Sequence, residues 1–299
     1  MSFDLYFFKH KDSNLTEEAV ARYLSNNITF NKSENERQWH YENPSTGSYF
    51  IIDWEYLDDN EPGSFDEYEG FVNLNFYFYI NFFRPRFFGL EIFPIIDKLV
   101  EDLDLYVLNP QDREFADIPA KYKRGTLVDS WINSNDSVSK GPHEGFNLEY
   151  LPLEKSNYFW WYQLHRQEIE NAITEDIFIP NIFVLKSGEE NLLYTACAWT
   201  THIPILLPAV DYIIIQKKYK KLFRTKEESG VISFRSAMEK LGSYFTDFTS
   251  NVPELKILRQ TEADKMEKAF NGLALERKIN EFTAVAKDGF VNVPQEGLS

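Results

Sequence analysis

Apolar and polar side chains alternate most strongly over Phe71 to Phe83. There Leu74, Phe76, Phe78, Ile80 and Phe82 interleave with Asn73, Asn75, Tyr77, Tyr79 and Asn81. A period of two predicts a strand with one buried face and one amphipathic face. Phe3 to Phe8, rich in β-formers, predicts a second strand. Gln38 to Glu42 and Ser48 to Tyr56 flank Asn43-Pro44-Ser45-Thr46-Gly47, whose turn chemistry predicts a hairpin. A helical period takes over at Val20, Tyr23 and Leu24, behind Asn14 or Ser13 as cap, with Glu17 and Glu18 in the dipole-favoured first turn. It returns over Leu90 to Leu103, where Ile92, Ile95, Ile96, Leu99, Val100 and Leu103 share a face and Pro94 falls within the first turn or so. Leu105 to Leu108 predicts a short closing strand. The order β-α-β-β-β-α-β predicts an α+β module over residues 1–112: a mainly antiparallel sheet with helices on one face, a ferredoxin-like variant among the arrangements.

Asn109-Pro110 and the polar residues to about 118 read as a linker, and residues 113–299 as a second α+β region that can form a separate domain. From Asp112 to Pro152 the pattern is weak and broken by Gly125, Gly141, Pro142 and Gly145. Beyond it, Asn157 to Ile173 predicts a helix, and Ile177 to Leu185, Leu192 to Trp199 and Tyr212 to Ile215 predict strands. Lys217 to Arg224 either extends the last strand or begins a helix. Ser233 is placed to cap a helix over Phe234 to Phe245, and Thr261 another over Glu262 to Leu273.

Composition narrows the class. Hydrophobic residues make up 43% of 299, enough for a substantial core. One cysteine, Cys197, excludes an intramolecular disulfide and a four-cysteine zinc site. The start, Met1-Ser2-Phe3-Asp4-Leu5-Tyr6, lacks a basic region leading into a long apolar stretch, and no run reaches the length of a membrane span. The cytoplasm is the expected location. The net charge is −16, of which −13 falls in residues 1–112. Phosphate binding needs a basic surface, so this asymmetry weighs against nucleic acid as a partner and suits a basic protein.

The search for catalytic chemistry is mostly negative. No phosphate loop, dinucleotide fingerprint, H-E-x-x-H or G-x-S-x-G is present. His10, His40, His143, His165 and His202 lack metal-ligand spacing, so neither metal nor cofactor is expected. Cys197 and His202 are five apart and point to opposite faces of a strand. Ser137-Val138-Ser139-Lys140 matches S-x-x-K, but its context reads as a loop without a held base. Arg84 and Arg86, flanking Pro85, offer an anion site or partners for nearby acids. Asp58-Asp59-Asn60-Glu61 offers oxygen ligands without the spacing of a calcium loop. Asp53 and Glu55 share a strand face, and paired carboxylates can serve glycoside hydrolysis.

One stretch stands out. Between Asp53 and Glu69, eight of seventeen residues are acidic and none is basic, while aromatic residues lie among them. Acids steer a partner from a distance, and aromatic rings supply buried anchor area. The expected partner-binding residues are Asp53, Trp54, Glu55, Tyr56, Asp58, Asp59, Glu61, Asp66, Glu67, Tyr68 and Glu69; the alternative is an ordinary strand with its acids in solvent.

Three segments carry a family resemblance: Ser2-Phe3-Asp4-Leu5-Tyr6-Phe7-Phe8-Lys9, the acidic hairpin, and Asn81-Phe82-Phe83-Arg84-Pro85-Arg86-Phe87-Phe88-Gly89-Leu90-Glu91. Over the first third, the chain resembles immunity proteins encoded beside bacterial polymorphic toxins. The resemblance implies a cytosolic, noncatalytic protein that neutralises a cognate toxin by covering its basic active-site cleft. Two other classes stand beside it: a hydrolase whose carboxylates come from distant residues, and an adaptor binding through the aromatic surface around Asn73 to Asn81.

Overall fold

The computed structural model describes residues 1–28, 31–32, 37–55, 68–112, 117–141, 148–221 and 224–294. The chain folds as two compact units, residues 1–148 with 291–299 and residues 149–290. The expected boundary at 112 lies inside the first unit.

The first unit is built on a six-stranded sheet in the order β2-β3-β4-β5-β1-β6. Its elements are β1 (Ser2–His10), α1 (Glu17–Asn27), β2 (Asn31–Lys32), β3 (Gln38–Glu42), β4 (Tyr49–Trp54), β5 (Phe71–Asn81), α2 (Phe87–Asp102), β6 (Tyr106–Leu108) and α3 (Thr126–Lys140). Every pairing is antiparallel. Helix α1 connects β1 to strands on the far side of β5, and α2 carries β5 across β1 to β6. Without β2 and β3 this is the ferredoxin-like arrangement; those two strands enter before β4 and widen one edge.

One sheet face is apolar. Phe3, Leu5, Phe50, Ile52, Phe76, Phe78 and Ile80 are buried on it, with Val20 and Leu24 of α1 and Ile92, Phe93 and Ile96 of α2. Each such side chain contributes roughly 1.5–3 kcal/mol when fully buried. The cap of α1 is Thr16, not Asn14 or Ser13: its hydroxyl accepts from Ala19 N at 3.3 Å. Helix α2 begins three residues before the expected start, so Pro94 sits in its interior. The hydrogen bond lost there is to the carbonyl of Leu90, which lies on the exposed side of the helix.

Helix α3 arises where the apolar pattern fades. Its buried positions, Leu127, Trp131, Asn135, Asp136 and Ser139, keep helical spacing but change from apolar to polar. Trp131 packs on α2 at Gly89, where a Cβ would lie 2.6 Å from its ring. Asn135 donates to Arg84 O at 2.9 Å, and Asp136 pairs with Arg86. Ser137-Val138-Ser139-Lys140 thus closes a helix, not a loop. The last residues return to this unit: Val291, Asn292 and Val293 are buried, and Asn292 Oδ1 accepts from Arg86 N at 2.7 Å.

The second unit contains α4 (Leu153–Ala172), β7 (Ile182–Ser187), β8 (Leu193–Thr200), β9 (Ile205–Leu207), β10 (Tyr212–Lys221), β11 (Arg224–Ser233), α5 (Phe234–Leu241), β12 (Thr246–Phe248), β13 (Leu255–Leu258), α6 (Gln260–Asn271) and β14 (Phe282–Val285). A five-stranded sheet runs β11-β10-β8-β7-β14, parallel only between β8 and β10, beside a three-stranded sheet β12-β13-β9. Of the stretch Lys217 to Arg224, Lys217 to Lys221 extends the strand and Arg224 begins β11, while residues 222 and 223 lie outside the described residues. Ser233 caps α5 as expected, whereas α6 is preceded by Arg259 and begins at Gln260. Trp199 centres the core with Phe270 and Phe245 against it. Cys197 is fully buried there, and burial pushes its thiol up to about 12.

Candidate protein-interaction face

The other face of the first sheet is not covered by α1, α2 or α3. Alternation along β1, β4 and β5 turns Asp4, Tyr6, Ile51, Asp53, Tyr77, Tyr79 and Asn81 toward it, all partly exposed. Strand register arranges them in rows across the sheet. One row is Gln38, Asp53, Tyr77, Tyr6 and Leu108; the next is His40, Ile51, Tyr79 and Asp4. A β-bulge between Tyr6 and Phe8, with Asn75 at φ 58°, ends the regular rows. Glu55 joins them there, its N–H bonded to Asn75 O at 2.8 Å.

The rows bring carboxylates among phenol rings. Tyr6 and Tyr77 have centroids 6.2 Å apart, and Tyr77 and Tyr79 stack at 6.1 Å. Asp53 accepts from Gln38 Nε2 at 2.7 Å and is the register partner of Tyr77. Partial burial first, then the nearby charges of Asp53 and Glu55, raise the Tyr77 phenol above its ordinary value. Burial followed by Asp53 and Asp4 does the same to Tyr79, and burial followed by Asp4 and Glu55 to Tyr6. These hydroxyls stay protonated, and so uncharged, at neutral pH.

No Lys or Arg occupies either row, and among the described residues no ion pair reaches Asp4, Asp53 or Glu55. Arg84 borders the face; it donates to Tyr49 Oη at 2.8 Å and lies over that ring. Three negative charges therefore stand together on a tyrosine-lined surface. Such a surface offers a cationic side chain both a carboxylate and a ring face.

The expected site residues separate. Asp53 and Glu55 lie on this face. Trp54 points to the opposite one, stacked on Phe76 at 5.2 Å with its indole N–H on Glu17 at 2.7 Å. Tyr68 packs edge-on against Phe8, and Glu69 is exposed in the turn before β5. Tyr56, Asp58, Asp59, Glu61, Asp66 and Glu67 lie outside the described residues. Asp4, Tyr6, Tyr77 and Tyr79 complete the face. Their signal was the two-residue alternation of β1 and β5, which ties the first strand to the acidic hairpin only once the register is known.

Among the described residues no group of three or more His, Cys, Asp or Glu is placed to hold a metal ion. A groove of about 600 Å³ is lined by Gln111, Asp112, Ser130, Asn133, Ser134 and Ser137. Another of about 750 Å³ lies between β10, β11 and α6. Neither lining contains a histidine or a pair of carboxylates. No described helix is long and apolar enough to cross a membrane. Comparison with family models, with curated proteins and with solved structures returns no match.

Proposed function

We propose that this chain is a binding protein that neutralises a cationic protein partner, and that the partner is a cognate toxin whose basic active-site cleft it occludes. The supporting observation is the open sheet face, where Asp4, Asp53 and Glu55 lie among Tyr6, Tyr77 and Tyr79 without an ion pair among the described residues. A cleft that handles an anionic substrate carries positive charge, and a carboxylate surface competes for the same space. Fixed tyrosine rings add contact area at small entropic cost. On this reading the protein acts in the cytoplasm, where such a toxin would act, and needs neither metal nor cofactor.

The test is co-expression with the product of the neighbouring reading frame, followed by co-purification and a growth-rescue assay. Wild-type chain is expected to co-purify and restore growth, and Asp4→Lys with Glu55→Lys to lose both while remaining folded. Undiminished protection by that double variant would remove the face from the mechanism.

A further inference from the structure

Strand β11 is covered along only part of its outer edge. Val231 turns both backbone groups away from β10. Its N–H donates to Arg277 O at 2.9 Å, and its carbonyl accepts from Glu276 N at 2.8 Å and Arg277 N at 3.1 Å. Two residues on, the Ser233 N–H donates to Glu276 Oε2 at 2.9 Å. Gly230 lies beneath this cover, where a Cβ would meet Arg277 O at 2.9 Å. There the cover stops. The pairing of β11 with β10 continues past Glu228 and Lys226 without a register shift. Backbone direction alternates along such a ladder, so Thr225, Glu227 and Ser229 turn their N–H and C=O outward as Val231 does. Among the described residues these groups have no partner, and residues 225–229 are all exposed.

An open strand edge is a template for another strand, and the side chains here select which one. In Thr225-Lys226-Glu227-Glu228-Ser229 both signs are present, with Lys226 and Glu228 on one face and Glu227 on the other. Two antiparallel copies of this edge meet about a dyad. A dyad at Lys226 sets lysine against lysine, and one at Glu228 sets glutamate against glutamate. A dyad at Glu227 places Lys226 opposite Glu228 on both sides of the axis. Lys226 has no ion pair among the described residues, and Lys217 and Tyr219 both meet Glu228 at Oε2. The two Glu227 side chains then face each other, each paired with its own Lys218 at 2.9 Å.

We propose that β11 pairs with β11 of a second copy of this chain, antiparallel and centred on Glu227, so that the two five-stranded sheets become one. Thr225 of each copy exchanges backbone hydrogen bonds with Ser229 of the other, and Glu227 with Glu227. The contact is isologous and closes at a dimer. So short an edge buries little area, and the dimer is weak and transient. Each copy carries −16, and this repulsion opposes association at low salt. At physiological salt, charges beyond about 8 Å are screened while the edge contacts persist. The site lies in the unit of residues 149–290 and is independent of the toxin reading.

The experiment is sedimentation velocity from micromolar to millimolar protein at physiological salt, with circular dichroism and thermal melts to check folding. The wild-type average mass is expected to rise toward about twice the monomer and no further. Glu227→Pro removes an outward N–H and no bond to β10, so it is expected to fold and stay monomeric. Lys226→Glu sets like charges opposite each other on both sides of the dyad and is expected to weaken the dimer about tenfold. Mixing Lys226→Glu with Glu228→Lys restores opposite charges at both places, and the mixture is expected to associate as wild type does. Hydrogen exchange of the wild-type chain adds a readout that needs no variant. The amides of Thr225, Glu227 and Ser229 are expected to slow as concentration rises, while those of Lys226 and Glu228, bonded to β10, stay unchanged. A wild-type monomer at every concentration, a dimer that survives Glu227→Pro, or protection without that alternation overturns the proposal. Should Glu228→Lys fail to fold, the proline variant and the exchange pattern still decide.

Discussion

Gln38 on β3 and Asp53 on β4 are register partners, and the Gln38 amide donates to the Asp53 carboxylate at 2.7 Å. Tyr77 is the partner of Asp53 on the other side, and burial together with that charge keeps its phenol protonated. A neutral donor holds the carboxylate in position without cancelling its charge, so its field extends into the space above the sheet.

Neutralising the face is expected to slow association more than it harms the fold. The triple variant Asp4→Asn, Asp53→Asn and Glu55→Gln should associate with a cationic partner roughly tenfold more slowly at low ionic strength, with little change at high salt. Stopped-flow or biolayer kinetics across a salt series measures this. An on-rate unchanged at low salt rules out the face.

Trp54 is expected to behave oppositely to its neighbours. Its ring stacks on Phe76 and its N–H satisfies Glu17, so Trp54→Ala removes packing and strands an acceptor. A loss of about 1–3 kcal/mol is expected, below that of a fully buried ring, and urea unfolding gives the value. Glu55→Gln, one residue on, should leave the midpoint nearly unmoved.

The α2–α3 contact leaves no room at Gly89. A methyl there would meet Trp131 Cε3 at 2.6 Å and Val128 Cγ2 at 3.2 Å. Gly89→Ala is expected to destabilise by about 1–3 kcal/mol through overpacking, despite the higher helix propensity of alanine. A midpoint equal to or above wild type would show that α3 does not rest on α2 there.

Burial lifts the Asp97 carboxyl above its ordinary value of 3.8, outweighing the Gly125 N–H and the Arg124 charge that pull it down. The folded state then holds the proton more tightly than the unfolded chain. The contribution of this group to stability is fullest below pH 3.8 and is lost as pH rises through the folded value. Asp97→Asn keeps an oxygen for Gly125 N and carries no charge. It is expected to raise the melting temperature at pH 7, the gain shrinking as pH falls through the titration of Asp97.

The returning chain end supports the first unit. Removing residues 291–299 exposes the pockets of Val291 and Val293 and takes Asn292 from Arg86 N. A loss of roughly 2–4 kcal/mol is expected from the two valines. Hydrogen exchange should quicken first at the start of α2.

The sequence by itself determined the elements whose burial is apolar. The two-residue period of Phe71 to Phe83 and the helical period of Leu90 to Leu103 became β5 and α2, because burying one face requires that face to be hydrophobic. It also placed the negative charge in the first third. Tertiary structure alone decided α3, whose buried side turns polar where Arg84 and Arg86 meet it. It alone decided the extent of the carboxylate–tyrosine face. Asp4, Asp53 and Tyr77 stand far apart in the chain, and they become neighbours only through strand register, which arises from long-range pairing rather than from any local pattern.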